Sequence, residues 1–286
     1  MDLLPQELTD AIIDHLSFTN DCESIRNCAF VNKQLLIRCQ YHIFFSITLN
    51  VKNIDRFFTV AQASPYNAIG RNVRELVVIA KGAYVMKGSI YKTKTKDPWI
   101  ERYLPVLGEC LSNLRKLEIQ DSSNLRPLCF PPSGLSSVRS LVLRRCEVQD
   151  WSTYVELLKV FPSLEFLSNH FVKTRRHSSL AVISRDETQT GAIIFPSIPS
   201  LEFCSCELPS LDSFFDHLVF SLLAEPSAAS IAMESFTIGP IYRSMLTSVG
   251  QFLKAAARSI KHLRISLIKD PGISTSLYRV LRDLGR

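Results

Sequence analysis

The first 45 residues carry apolar positions at the spacing of an α-helix. A helix is predicted to open at Leu4-Pro5, because proline is favoured in the first turn, where its missing N–H costs nothing. Leu8, Ile12 and Leu16 then recur every four residues and form one apolar stripe. Three helices of this size have too little surface to build a large core of their own. Exposed apolar surface is therefore predicted for this segment, and such surface is typical of a docking module.

The two helices that follow are predicted from their caps. Asn20, three residues before Glu23, has the spacing of a capping box. Asn32 is a suitable cap for a third helix, which carries Leu35. Over residues 45–49 apolar and polar side chains alternate, which is the pattern of a β-strand. The helical period therefore ends near residue 45.

From residue 46 onward the pattern repeats. The unit is an apolar residue, two variable positions, a second apolar residue, one variable position and a third apolar residue. The copies begin at Val73, Leu114, Val138, Leu164, Leu201, Met233 and Ile260. Each copy is short enough to be a single strand.

Helical spacing returns between the copies. Helices are predicted to begin at Asp97-Pro98 and at Asp150, and to lie over residues 211–224, 243–258 and 274–284. A repeated order of helix, turn and short strand predicts parallel strands joined by crossover helices, and hence an α/β fold. Because no single unit can bury its apolar face, the units are expected to stack into a solenoid. An irregular α/β domain is the alternative.

Composition places the chain among ordinary globular proteins, with 46% hydrophobic and 21% charged residues. Of the net charge of +6, residues 1–46 carry −3, which leaves +9 for the remainder. A basic body suits acidic partners or simply solubility. Nucleic-acid binding is not expected, because aromatic residues are not interleaved with the basic clusters. No membrane span or secretory signal is recognisable, so a cytoplasmic or nuclear location is expected.

Recognisable catalytic and metal-binding motifs are absent from the sequence. It contains no phosphate-binding loop, dinucleotide fingerprint, nucleophile elbow or paired-histidine zinc motif. The eight cysteines include no C-x-x-C pair, and most lie beside apolar residues, so we predict reduced core thiols. Cys204 and Cys206 would share one face of a strand, but no further ligand has zinc-site spacing. We therefore expect no enzyme activity, no cofactor and no metal.

The N-terminal segment resembles the F-box, the adaptor-binding segment of Skp–cullin–F-box ubiquitin ligases. The resemblance rests on L-P-x-E-L at residues 4–8, on Ile12-Ile13 with Leu16, and on the run V-N-K-Q-L-L-I-R-C-Q-Y-H-I-F that ends at Phe44. It covers residues 4–45, about a sixth of the chain. The tryptophan usual in the closing helix of the family is replaced by Leu35.

The repeats resemble leucine-rich repeats, although most copies are degenerate. The copy at Val138 fits best, because Leu141, Leu143 and Cys146 follow the form L-x-x-L-x-L-x-x-C. The copy at Leu164 lacks its third apolar residue and has Asn169 instead. An F-box-like head followed by such repeats is typical of ubiquitin-ligase receptors.

The resemblance implies an adaptor-binding domain at residues 1–45 and a leucine-rich-repeat-like substrate-recognition domain at residues 46–286. The chain would then be the substrate-recognition subunit of a Skp–cullin–F-box ubiquitin ligase. Its partners would be a Skp-family adaptor, through it a cullin, and an unknown protein substrate. The implied adaptor contacts are Leu4, Pro5, Leu8, Ile12, Ile13, Leu16 and Leu35. The alternative is a non-catalytic leucine-rich-repeat scaffold for protein or nucleic acid, in which the N-terminal helices only cap the solenoid.

Alternate residues of the repeat strands are predicted to face the concave surface of the sheet, because the apolar repeat positions point inward. The candidate substrate-binding residues are Lys116, Glu118, Gln120, Val142, Arg144, Phe166, Phe203 and Arg264, with Ser140, Ser205 and His262 on the same face. Phe166 and Phe203 are expected to stand side by side as a contact patch. Alternatively, the inserted segment 172–195 covers them.

Overall fold

The computed structural model describes residues 5–19, 21–63, 68–80, 98–123, 125–127, 130, 135–174, 198–204, 233–242 and 245–267. Within these ranges the chain forms eight helices and ten strands. The helices predicted over residues 211–224 and 274–284 lie outside the described residues, as do Leu4, Asn20, Asp97 and Ser205.

Three helices form the N-terminal unit, here called the head (residues 5–45). They are α1 (Gln6–Phe18), α2 (Cys22–Cys28) and α3 (Lys33–Phe45). The Asn32 side chain accepts a hydrogen bond from the Leu35 amide at 2.8 Å, which confirms the predicted cap of α3. The prediction for α2 is wrong by one residue. Asp21, not Asn20, directly precedes the helix and accepts a hydrogen bond from the Ser24 amide at 3.0 Å.

The rest of the described chain, here called the body, consists of strands, with helices between some of them. Its helices are α4 (Ile54–Ala63), α5 (Ala68–Asn72), α6 (Pro98–Cys110), α7 (Trp151–Lys159) and α8 (Leu246–Ala256). Its strands are β1 (Ser46–Asn50), β2 (Glu75–Ile79), β3 (Lys116–Gln120), β4 (Ser140–Arg144), β5 (Glu147–Val148), β6 (Phe166–His170), β7 (Lys173–Thr174), β8 (Ser200–Cys204), β9 (Ser235–Ile241) and β10 (His262–Leu267). The predicted cap Asp150 is confirmed, because it accepts a hydrogen bond from the Thr153 amide at 2.8 Å.

Eight of the strands form one parallel sheet in the order β1-β2-β3-β4-β6-β8-β9-β10, so each strand lies beside the next of these strands in the chain. All pairings are parallel and in continuous register except for one irregularity near Ile265. The short strands β5 and β7 form a separate parallel pair. The predicted α/β class with parallel strands is therefore confirmed.

Two rows of side chains run across the sheet and form the main core. The first row is Leu76, Leu117, Leu141, Leu167, Leu201 and Phe236, and the second is Val78, Ile119, Leu143, Asn169, Phe203 and Ile238. All twelve are buried, and the eleven apolar ones form one hydrophobic cluster with side chains of α6, α7 and α8. Asn169, the one polar member, accepts a hydrogen bond from the hydroxyl of buried Tyr154 at 3.0 Å. The degenerate copy at Leu164 is thus accommodated by a polar contact inside the core.

The register corrects the sequence assignment of the fifth copy. Leu201 lies beside Leu167, and Phe203 lies beside Asn169, so the copy begins at buried Ile198 rather than at Leu201. Phe203 is therefore a core residue, 7% exposed, and the predicted side-by-side pair with Phe166 is wrong. The error arose because Cys204 and Cys206 imitate the apolar positions of a unit that starts three residues later.

The same turn follows three of the strands. Asp121, Arg145 and Phe171 come directly after β3, β4 and β6, and their φ angles are 58°, 51° and 58°. Each backbone amide donates to the carbonyl that ends the next strand of the sheet, at 2.9, 2.7 and 3.1 Å. The residue after each turn points inward, and these three residues are the buried Ser122, Cys146 and Val172. The repeat therefore extends beyond the strand into the turn.

Candidate protein-binding faces

The second face of the sheet, here called the outer face, carries the residues that alternate with the core rows. On the central strands these are residues 116, 118 and 120 of β3, 140, 142 and 144 of β4, 166, 168 and 170 of β6, and 200, 202 and 204 of β8. Most of them are polar and partly exposed, whereas the core rows are buried and apolar. This polarity makes the outer face the side of the sheet that a polar partner can approach.

One polar cluster on this face centres on Glu118. Its Oε1 accepts hydrogen bonds from Arg144 Nε at 2.6 Å and from Gln120 Nε2 at 2.7 Å. The carboxylate is largely buried, and the Arg144 side chain is more exposed than the carboxylate that it pairs with. In the described part of the chain, the terminal amino groups of Arg144 have no hydrogen-bond partner. They can therefore donate to a carboxylate or carbonyl of a bound protein.

A second cluster joins Ser168, His170 and Glu202. The Ser168 hydroxyl donates to Glu202 Oε2 at 2.8 Å and lies 2.8 Å from His170 Nε2. Because the hydroxyl proton is used, Nε2 must carry the proton that it shares with Ser168. Burial, followed by the nearby Arg144 guanidinium, lowers the pKa of His170 below its usual value. The imidazole is therefore neutral near pH 7.

This second cluster differs from a nucleophilic triad in geometry. In a triad the imidazole takes the proton of the hydroxyl, and the carboxylate orients the imidazole from its other nitrogen. Here the hydroxyl donates to the carboxylate itself, and Glu202 Oε2 lies 3.9 Å from the same Nε2. Ser168 is also buried. The arrangement fixes side chains on the outer face rather than activating a nucleophile.

The other predicted substrate-binding residues are spread over the same face. Lys116 is partly exposed, and its Nζ lies 3.7 Å from Glu75 Oε2. Phe166 is partly exposed beside Ser200, and Arg264 is exposed on β10. Val142 has the predicted orientation but is only 5% exposed, so it cannot be a major contact.

Three residues of the outer-face clusters were missed by the sequence reasoning. Ser168, His170 and Glu202 alternate with the inward-facing Leu167, Asn169 and Leu201. Ser168 and His170 could have been predicted from the alternation of inward-facing and outward-facing residues in the copy that begins at Leu164. Glu202 could have been predicted only if the fifth copy had been assigned to begin at Ile198.

The head has a small core and a large apolar surface. Its buried core consists of Ile13, Ile25 and Cys39. Leu8 and Ile12, one turn apart on α1, are 53% and 50% exposed. Phe18, Phe30, Val31 and Ile37 are also exposed. The head therefore presents more large apolar side chains to solvent than it buries.

The structure divides the predicted adaptor contacts into two groups. Pro5, Leu8 and Ile12 are exposed and available for contact. Ile13 is completely buried, and Leu16 and Leu35 pack against the same core, so these three stabilise the head instead. Of the predicted apolar stripe, Leu8 and Ile12 are exposed, whereas Leu16 lies with Thr9 and Ile13 on the inward side of α1.

A charged cluster fastens α1 to α3. Asp14 Oδ1 and Oδ2 accept hydrogen bonds from Arg38 Nε at 2.7 Å and Nη2 at 2.6 Å, and His42 Nε2 lies 2.8 Å from Oδ1. The Arg38 guanidinium, assisted by His42, lowers the pKa of Asp14 to about 2. The carboxylate therefore stays ionised at any ordinary pH and orients the exposed side of α1.

No protein-family model matches the chain, and a search of the curated proteins gives no match. Within the described residues, no helix is both long and apolar enough to cross a membrane. The same part of the chain contains no group of three or more His, Cys, Asp or Glu side chains placed to hold a metal ion.

Proposed function

We propose that this chain is the substrate-recognition subunit of a Skp–cullin–F-box ubiquitin ligase. The head docks onto a Skp-family adaptor, and the outer face of the body binds a protein substrate. The observation that carries the proposal is the exposure of Leu8, Ile12, Phe30 and Val31 on a head whose own core has three buried residues. We assign this surface to a Skp-family adaptor because the sequence of residues 4–45 resembles the F-box.

The energetics of the head favour an apolar contact. Burying the exposed half of Leu8 or of Ile12 contributes about 1 kcal/mol for each side chain. The head is acidic, with a net charge of −3 over residues 1–46, so it gains no attraction to an acidic partner. Hydrophobic area must therefore supply most of the adaptor affinity.

We further propose that the body is a leucine-rich-repeat solenoid. Two observations support this: the parallel strands follow one another across the sheet in chain order, and an equivalent left-handed turn follows β3, β4 and β6. In such an architecture each unit contacts only its neighbours, which gives a long continuous face. Arg144, Lys116 and Phe166 are the residues of that face that we assign to substrate contact.

On this proposal the chain itself performs no chemistry. It raises the effective concentration of substrate lysines beside a conjugating enzyme that the cullin recruits.

Co-expression with a Skp-family adaptor, followed by size-exclusion chromatography, tests the role of the head. The wild-type chain should elute together with the adaptor, whereas the Leu8→Glu/Ile12→Glu variant should elute alone. Both side chains are half exposed, so the variant should keep its fold. The control is Val60→Glu, which places one glutamate at an exposed valine of α4 outside the head. Full adaptor binding by the Leu8/Ile12 variant would refute the proposal.

A comparison of co-purifying proteins tests the outer face. The Lys116→Ala/Phe166→Ala variant should lose specific proteins while it retains the adaptor. The Leu8→Glu/Ile12→Glu variant should show the reverse, and Arg56→Ala on α4 should lose neither. If the two variants lose the same set of proteins, the head and the outer face do not have separate partners.

A scaffold without ligase function is the second candidate, and one observation favours it. Phe44 and Ile47 pack against the body core, and the Arg74 amide donates to the Phe45 carbonyl at 2.9 Å. The head is thus joined to the first strands in the way that a solenoid cap would be. A pure cap predicts that Leu8→Glu/Ile12→Glu binds every partner as the wild type does.

A further inference from the structure

Three arginines stand side by side where the strands begin. Arg74, Arg115 and Arg139 each directly precede a strand, and here they are called the arginine row. The Arg115 amide donates to the Arg74 carbonyl, and the Arg139 amide donates to the Arg115 carbonyl, both at 2.8 Å. Their backbones are therefore at strand spacing, about 4.8 Å apart. The row spans about 10 Å along one edge of the sheet.

Side chains at this edge contact their neighbours across strands. Glu165 precedes β6 and pairs with Arg139 at 2.8 Å, and Glu234 precedes β9 and pairs with Lys261, before β10, at 2.8 Å. Opposite charges are thus paired elsewhere at the same edge. In the arginine row, by contrast, like charges are adjacent, which is unfavourable unless an anion lies between them.

Of the three arginines, Arg115 has the fewest contacts that could offset its positive charge. It is exposed, and within the described residues its side chain makes no hydrogen bond or ion pair. Within the same residues, the Arg74 side chain donates only to the Asn113 carbonyl, at 3.2 Å, and so keeps its full charge. Arg139 is 61% exposed and keeps donor groups that Glu165 does not occupy.

A fourth arginine extends the positive region towards the head. Arg71 is exposed at the end of α5, and its carbonyl accepts a hydrogen bond from Asn113 Nδ2 at 3.1 Å. Asn113 therefore joins Arg71 to the loop that leads into Arg115. Arg71 also lines a cavity of about 520 Å³ between the head and α5, whose other walls include Asp10, Arg38 and Tyr41. The edge thus combines a basic row with a recess at one end.

We propose that the arginine row, together with Arg71, is a binding site for a short acidic or phosphorylated peptide segment. Guanidinium groups bind carboxylate and phosphate through paired hydrogen bonds, so both anionic groups fit. A peptide suits the site better than a nucleic acid. Glu165 ends the row after three positions, and a continuing phosphate backbone would meet this carboxylate. The site is independent of the adaptor-binding and outer-face roles proposed above.

Fluorescence anisotropy with the full-length chain tests the site. The probes are a labelled nine-residue peptide with three central aspartates, the same peptide with three phosphoserines, and the same peptide with three asparagines. A labelled twelve-nucleotide oligothymidine is the nucleic-acid probe. Both anionic peptides should bind and the asparagine peptide should not. Affinity should fall several-fold between about 50 mM and 300 mM salt, because exposed charges are screened.

Two opposite substitutions make the test independent of folding defects. Arg115→Glu should weaken binding of the anionic peptides about three- to tenfold, while Arg56→Glu on α4, with the same change of charge, should not. Glu165→Gln should strengthen binding about two- to threefold, because it releases Arg139. Stronger binding of the phosphoserine peptide would assign the site to phosphate, and equal binding would assign it to anionic charge in general.

Three results would overturn the proposal: no peptide binding, equal losses for Arg115→Glu and Arg56→Glu, or tighter binding of oligothymidine than of both peptides. None of these results bears on the adaptor complex, which is measured separately.

Discussion

The buried contact between Tyr154 and Asn169 allows a quantitative test of the repeat architecture. Asn169 occupies a position that is apolar in the equivalent strands, and its Oδ1 accepts from the Tyr154 hydroxyl at 3.0 Å. Both residues are buried, and among the residues that the structure describes Asn169 Nδ2 has no hydrogen-bond partner. Tyr154→Phe would therefore leave both polar ends of the amide unpaired in the core.

The expected loss of stability follows from the free energy that is lost when a buried polar group is left without a hydrogen-bond partner. Leaving a buried acceptor without a donor lowers the free energy of unfolding by about 1–3 kcal/mol. The double variant Tyr154→Phe/Asn169→Leu removes the polar pair and restores the apolar row. We expect its stability to equal or exceed that of the wild type, because the unpaired Nδ2 is removed as well.

Urea unfolding followed by circular dichroism gives these values for the wild type, the single variant and the double variant. Tyr103→Phe is the matched control, because its hydroxyl contacts the exposed carboxylate of Asp55 outside the core, and it should leave the unfolding midpoint unchanged. A neutral Tyr154→Phe, or a double variant no more stable than Tyr154→Phe, would refute the reasoning.

Three further predictions concern the core, the head and the thiols. Phe203→Ala should lower the free energy of unfolding by about 3 kcal/mol, whereas Phe166→Ala should change it little. A larger loss of stability for Phe166→Ala than for Phe203→Ala would contradict the core position of Phe203. Because the folded-state pKa of Asp14 is lowered to about 2, its contribution should be complete above about pH 4–5 and lost as the pH falls through 2. The Asp14 side chain is 44% exposed, so Asp14→Asn should cost about 1 kcal/mol or less at pH 7, and equal loss at pH 2 would contradict this. Exposed Cys22 should react quickly with a thiol reagent, whereas buried Cys39 and Cys146 should react only after unfolding. Burial raises the pKa of Cys146 to about 12, so rapid labelling of Cys146 in the folded protein would contradict its position in the core.

The sequence predicts the local signals of this fold well where they depend on nearest neighbours. Asn32 and Asp150 cap their helices as expected, because a cap needs only the side chain and the amide three residues on. The alternation after Leu141 likewise identified the inward and outward sides of β4. These features required no knowledge of distant residues.

Features that depend on tertiary contacts were less predictable. Pairing with β6 decides which residues of β8 face the core, because its apolar-rich sequence allows two assignments of inward-facing residues. On α1, Leu8 and Ile13 are both apolar, and only the positions of α2 and α3 decide that Ile13 is buried. The arginine row was visible as V-R-E-L, L-R-K-L and V-R-S-L, but its meaning required the strand order.

Hydrogen-exchange mass spectrometry of the chain with a purified Skp-family adaptor tests the central claim most directly. Adaptor binding through the head should slow exchange in α1 and in the loop that carries Phe30 and Val31, while β3, β4 and β6 remain unchanged. Protection confined to the strands of the body, or no protection at saturating adaptor, would contradict the assignment of the head as the adaptor-binding unit.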